Sequence, residues 1–163
     1  MLYNLKKIFK LNFIAASLIF IGCSKEHING GVDLNLHVDF SIKGEDGVDK
    51  LSPQSTNTLN TDKIKIFNKI GEEVKLAYDA TKSYPKFYHI FQDGPSYRMR
   101  VFLNYISDER SISYIQWNEN NIDTLEVEYS RLNNILNVKS LWLNGDLKFQ
   151  SNNSINDVIE IIK

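Results

Sequence analysis

Between positions 33 and 39 every second residue could ligate a metal or move a proton: Asp33, Asn35, His37 and Asp39. On an extended strand such residues share one face, with neighbours about 6.5 to 7 Å apart. His37 and Asp39 would then form part of a metal site only if other strands brought further ligands. A solvated strand face is the simpler reading, and no metal is expected. Serine hydrolysis needs a base and an orienting acid around the hydroxyl. His27 stands in a polar stretch, His37 in the alternating segment and His89 among aromatics, none beside a Gly-x-Ser-x-Gly elbow. Carboxylates that cleave glycosides work in pairs, but Glu72-Glu73, Asp108-Glu109 and Asp46 all fall in turn contexts, where solvated charge is ordinary. There is no phosphate-binding Gly-rich loop and no dinucleotide fingerprint. These residues predict no catalytic group and no cofactor.

The aromatic residues suggest binding. Four precede residue 22 and 15 follow it, among them Trp117, Trp142 and the cluster Tyr84, Phe87, Tyr88 and Phe91. An exposed aromatic platform, carrying Trp117 or Trp142 on a flat face, would stack on sugar rings while Asn118, Asn120 and Asn121 bonded their hydroxyls. Most strand aromatics instead pack in the core or across strands.

A chain of 163 residues is about the length of one domain. One cysteine excludes a disulfide framework within the monomer and a Cys-rich zinc module. A net charge of -1 argues against a nucleic-acid binder working through a basic field. Residues 1 to 22 have the pattern of a secretory signal: Lys6, Lys7 and Lys10, no acid, then an apolar run ending at Ile21. Counted from Leu11 the run is eleven residues, against about 20 for a membrane-spanning helix.

Phe20-Ile21-Gly22-Cys23 closes that run and resembles the bacterial lipobox, although Phe20 stands where the family usually has Leu. The resemblance implies cleavage before Cys23, a diacylglyceryl thioether on its sulfur, and a further acyl chain such as palmitate on its new amino terminus. Two or more chains give stable membrane anchoring. Without residues 1 to 22 the chain has 16 basic and 20 acidic residues, a net charge of -4, which suits a body held off an anionic membrane. Ser24 rather than Asp follows Cys23, and by resemblance to enterobacterial sorting this implies the outer membrane. Ser24-Lys25-Glu26 is faintly similar to charged signals that carry some Bacteroidetes lipoproteins to the cell exterior, so periplasmic and surface orientations both stay open.

Residues 23 to 31, ending Gly30-Gly31, read as the lipidated cysteine and a flexible tether, and 32 to 163 as the folded domain. From Val32 to Lys43 apolar and polar residues alternate without exception, the mark of a strand with one face in a core. Gly44-Glu45-Asp46-Gly47 is turn chemistry, and the Ser-, Thr- and Asn-rich stretch from Ser52 to Asp62 is an exposed loop. Strands are expected at 64–67, 74–78, 84–91, 97–105, 111–117, 122–129, 135–143 and 147–149, with a hairpin loop from Asn68 to Glu73 that contains Gly71. Asn144-Gly145 predicts a type I′ hairpin turn, since both central positions need positive φ. Ser154 and Asp157 could cap a helix carrying Ile155, Ile159 and Ile162, but the β-branched run Val158 to Ile162 favours a closing strand. The expected fold is all-β, an antiparallel β-sandwich of about eight or nine strands, with a closed β-barrel as the alternative.

The order of motifs is similar to that of a group of uncharacterised Bacteroidetes lipoproteins. The matching pieces are Phe40-Ser41-Ile42-Lys43 with Asp46-Gly47 and Leu51-Ser52-Pro53, then Lys63 to Phe67, then Ile115-Gln116-Trp117-Asn118 with Ile122-Asp123-Thr124-Leu125, and lastly Leu141-Trp142-Leu143-Asn144-Gly145. The resemblance implies an anchor at Cys23, the cell envelope and a small β-sandwich, and it implies no catalytic residue. Asp123-Thr124-Leu125 is also similar to the O-glycosylation signal of Bacteroidetes exported proteins, which marks Thr124 as an acceptor. The expectation is a non-enzymatic lipoprotein held to the membrane through Cys23, with a glycan or protein partner at the envelope and no nucleic acid. A surface glycan-binding accessory module is the alternative, and an extracytoplasmic hydrolase comes third.

Overall fold

Alternation is the local rule that builds this fold. In β1, His37–Lys43, the side chains of Val38, Phe40 and Ile42 are buried while His37, Asp39 and Lys43 stay partly in water. The computed structural model describes residues 36–106, 110–132, 135–150 and 158–163. The signal segment, Cys23, the tether, the first residues of the alternating segment, and Ser154 and Asp157 lie outside them.

Nine further strands follow: β2 Lys65–Ile70, β3 Glu73–Leu76, β4 Tyr88–Asp93, β5 Ser96–Phe102, β6 Ser111–Asn118, β7 Asn121–Leu132, β8 Ile135–Leu143, β9 Asp146–Gln150 and β10 Ile159–Ile162. One 3-10 turn, Thr61–Lys63, interrupts the long loop before β2 and is capped by the side chain of Asn60. The strands form a four-stranded sheet in the order β10-β1-β5-β4 and a six-stranded sheet in the order β3-β2-β6-β7-β8-β9. The sheets do not close into a barrel, and their inner faces share one apolar cluster. Val38, Phe40, Met99, Val101 and Ile161 enter it from the smaller sheet, and Ile66, Ile115, Trp117, Leu125 and Leu141 from the larger. This is the β-sandwich expected from the alternating strands, with ten strands among the described residues where about eight or nine were expected.

Turns set much of the register. Gly71 at φ 61 opens the two-residue turn between β2 and β3, so both strands run further toward the tip than the expected loop from Asn68 to Glu73. Asn144 and Gly145 both have positive φ, 54° and 85°, as a type I′ turn requires. The chain end is a strand, and it brings a difference from a purely antiparallel sandwich. β10 lies parallel to β1, with Phe40 opposite Ile159 and Ile42 opposite Ile161, while the other strand pairs among the described residues are antiparallel. A parallel neighbour cannot come from a hairpin and needs a long crossover. Here nearly the whole domain is that crossover.

Candidate functional site

The chain passes from the larger sheet to the smaller one through residues 77–87, between β3 and β4. Short hydrogen bonds shape this crossover. The Asp79 carboxylate accepts from the Thr81 amide at 2.9 Å and from its hydroxyl at 2.7 Å, bonds that hold the Asp79 pKa below its usual value. The Asp79 amide donates to the Pro85 carbonyl at 3.0 Å, and the Phe87 amide to the Tyr84 carbonyl at 3.0 Å. Phe87 turns the chain into β4 at φ 59, a left-handed conformation that a bulky residue adopts rarely. Strain of this kind, about 1 to 3 kcal/mol, persists only where the surroundings enforce it.

Against this crossover lies an open pocket of about 320 Å³ lined by Tyr78, Ser83, Tyr84, Pro85, Lys86 and Tyr88. Tyr84 stacks on Phe102 with centroids 5.1 Å apart and also meets His89 at 4.6 Å. His89 in turn stacks on Phe91 at 5.8 Å, and the Arg100 guanidinium covers Phe91 at 5.0 Å. Tyr88 donates its hydroxyl proton to the Thr61 carbonyl at 2.7 Å. Burial, followed by the charge of Asp62, raises the Tyr88 pKa, so this hydroxyl stays protonated at neutral pH. Lys86 reaches Asp62 at only 3.9 Å, an exposed contact of little energy. The pocket therefore offers ring faces, an ammonium group and hydroxyls. Its lining contains no histidine or carboxylate; the polar groups it presents are the tyrosine and serine hydroxyls and the Lys86 ammonium.

The residues singled out from the sequence scatter. Asp39 takes two hydrogen bonds of 2.7 Å from Arg100, which raise the Arg100 pKa. No cluster of three or more His, Cys, Asp or Glu side chains able to hold a metal occurs among the described residues. Trp117 is 2% exposed, which corrects its reading as a platform: it faces the core from β6 and donates its indole N–H to Asp123 at 2.7 Å. Trp142 is half-buried on the outer face of β8, and Arg110 lies over its ring at 4.0 Å, held by Glu126 at 3.2 Å. Asn118 is spent partly on the Asn120 amide, and Asn121 accepts from Lys163. Thr124 sits within β7 and donates its amide to the Asn144 side chain at 2.9 Å, while the preceding Asp123 is buried. Of the aromatic cluster read from the sequence, Tyr84 and Tyr88 line the pocket. Tyr78, Ser83, Pro85 and Lys86 lie outside that cluster, and the only signal for them is nearness to it in sequence.

No family model matches this chain, and neither a curated protein nor a solved structure does.

Proposed function

We propose that this chain is a non-enzymatic lipoprotein of the cell envelope, tethered to the outer membrane through acylated Cys23, whose β-sandwich binds a ligand in the tyrosine pocket. The pocket is the observation that supports binding: three tyrosines around an opening of about 320 Å³, the lower end of the size range for small-molecule sites. The anchor rests on the lipobox resemblance at Phe20 to Cys23 and on the polar stretch that follows. A second reading, in which the ligand is a glycan, draws on the same tyrosines, since a flat ring face beside hydroxyl and ammonium groups suits a sugar ring. It replaces the tryptophan platform expected from the sequence.

The test has two parts. Fractionation and intact-mass analysis should find wild-type chain acylated at Cys23 in the membrane and Cys23→Ala released from it; identical behaviour of the two overturns the anchor. Titration with a panel of envelope and capsule polysaccharides should give saturable quenching of intrinsic fluorescence that Tyr78→Ala abolishes. Tyr78 is exposed, so its truncation leaves the fold intact. Binding that persists in Tyr78→Ala moves the site elsewhere, and silence across the panel removes the glycan reading.

A further inference from the structure

One edge of the larger sheet, at β3, carries no further strand among the described residues. All four residues of β3 are exposed, and β2 is the only strand hydrogen-bonded to β3 among the described residues. The exposed large apolar side chains concentrate here: Ile70, Val74, Leu76 and Tyr78 lie within one nine-residue stretch, and Val74 is 53% exposed. Natural proteins blunt such edges because unpaired N–H and C=O groups template a further strand.

The phase of the hairpin shows which groups are offered. Ile70 and Glu73 flank the two-residue turn and Asn68 faces Lys75. The Ala77 amide donates to Ile66 at 2.8 Å, so Glu73, Lys75 and Ala77 turn their backbone groups toward β2. The N–H and C=O of Val74 and Leu76 therefore point outward. Around this free edge the charges alternate, Glu73 then Val74 then Lys75.

We propose that β3 is a self-association edge that pairs antiparallel with β3 of a second copy, on a two-fold axis at Val74. In that register Val74 faces Val74 of the other copy in a hydrogen-bonded pair, and Glu73 faces Lys75 on both sides of the axis. Glu73 and Lys75 already form an exposed ion pair within one chain; the dimer exchanges these two intrachain pairs, one per copy, for two across the interface. Moving the axis one residue, to Lys75, would set Lys75 against Lys75, and like charges directly opposite destabilise a strand pair. Charge thus favours the axis at Val74 over the axis at Lys75. Two-fold strand pairing of this kind is isologous and closes on itself, so it makes dimers and not fibres.

Cross-linking of the full chain in detergent tests the register. Hydrogen-bonded antiparallel partners have Cα atoms about 5.5 Å apart, inside the roughly 4.4 to 6.8 Å that a disulfide spans. Under mild oxidation Val74→Cys should bridge to itself much faster than Ile122→Cys, a position equally exposed at 53% but set within a sheet face. Peptide mapping should place the bridge at position 74 and not at Cys23. Adding Glu73→Lys to Val74→Cys should slow bridging about fivefold by opposing two like-charged pairs, and the further change Lys75→Glu should restore it. Bridging at 74 no faster than at 122 overturns the proposal, as does a rate indifferent to both charge changes. Bridging of Val74→Cys onto another protein would also overturn it, in favour of a different partner strand.

Discussion

A carboxylate removed from water needs its charge answered, and Asp123 shows how this protein does so. Its carboxylate accepts from Trp117 at 2.7 Å, from Asn144 at 2.9 Å and from Lys163 at 2.7 Å, with side-chain exposures of 6% for Asp123 and 13% for Lys163. Burial alone would raise the Asp123 pKa, but these three hydrogen bonds and the Lys163 charge outweigh it and hold the pKa below its ordinary 3.8. The unfolded chain then binds more protons than the folded one just below that value. This contribution is present above the ordinary carboxylate range and is lost as pH falls through the folded pKa. Lys163→Met leaves the buried charge with two neutral donors and no counter-ion, and should cost about 3 kcal/mol at neutral pH by urea unfolding; a loss under about 1 kcal/mol would show that water reaches the carboxylate. Tyr129 has the opposite sign. Burial raises its pKa from 10.0 to about 12, against the opposing hydrogen bond from Ser111, and its hydroxyl donates to the Asn104 carbonyl. Stability should decline as pH rises from about 10 toward about 12, and Tyr129→Phe should flatten that limb in unfolding titrations.

At the scale of elements, the turn between β8 and β9 was legible because its chemistry is confined to two residues. Gly145 has φ 85 and open space where a Cβ would stand, so Gly145→Ala should cost only conformational strain, about 1 kcal/mol. Asn144→Ala should cost more, about 2 to 3 kcal/mol, because the Asn144 side chain also accepts from the Thr124 amide and donates to Asp123. Urea midpoints in the reverse order would refute this division. That second role was not legible: nothing near Asn144 in the chain announces that β7 lies alongside. The partner of β10 was hidden in the same way. Its β-branched run favoured a strand, but a parallel place beside β1 depends on where the rest of the domain returns the chain. Trp117 and Trp142 are equally aromatic in sequence, yet register turns one toward the core and the other outward.

At the scale of the molecule, one apolar cluster joins both sheets, and Lys163 links the end of β10 in the smaller sheet to Asp123 in the larger. The sandwich should therefore unfold as a unit. Ile161→Ala should lower stability by about 2 to 4 kcal/mol and shift the transition seen through Trp142 fluorescence with an unchanged denaturant slope; an unmoved Trp142 transition would mean that β10 frays alone. The tight turns, the all-β class and most of the strands were legible in the chain, because a period of two and a positive-φ turn are properties of a few adjacent residues; the aromatic stretch expected as a strand from Tyr84 becomes one only at Tyr88. Which aromatics form a pocket, which acid is buried and which strand edge lacks a further neighbour among the described residues followed from the assembled sheets alone. Those depend on contacts between residues far apart in the chain, and no local pattern encodes the closure that brings them together.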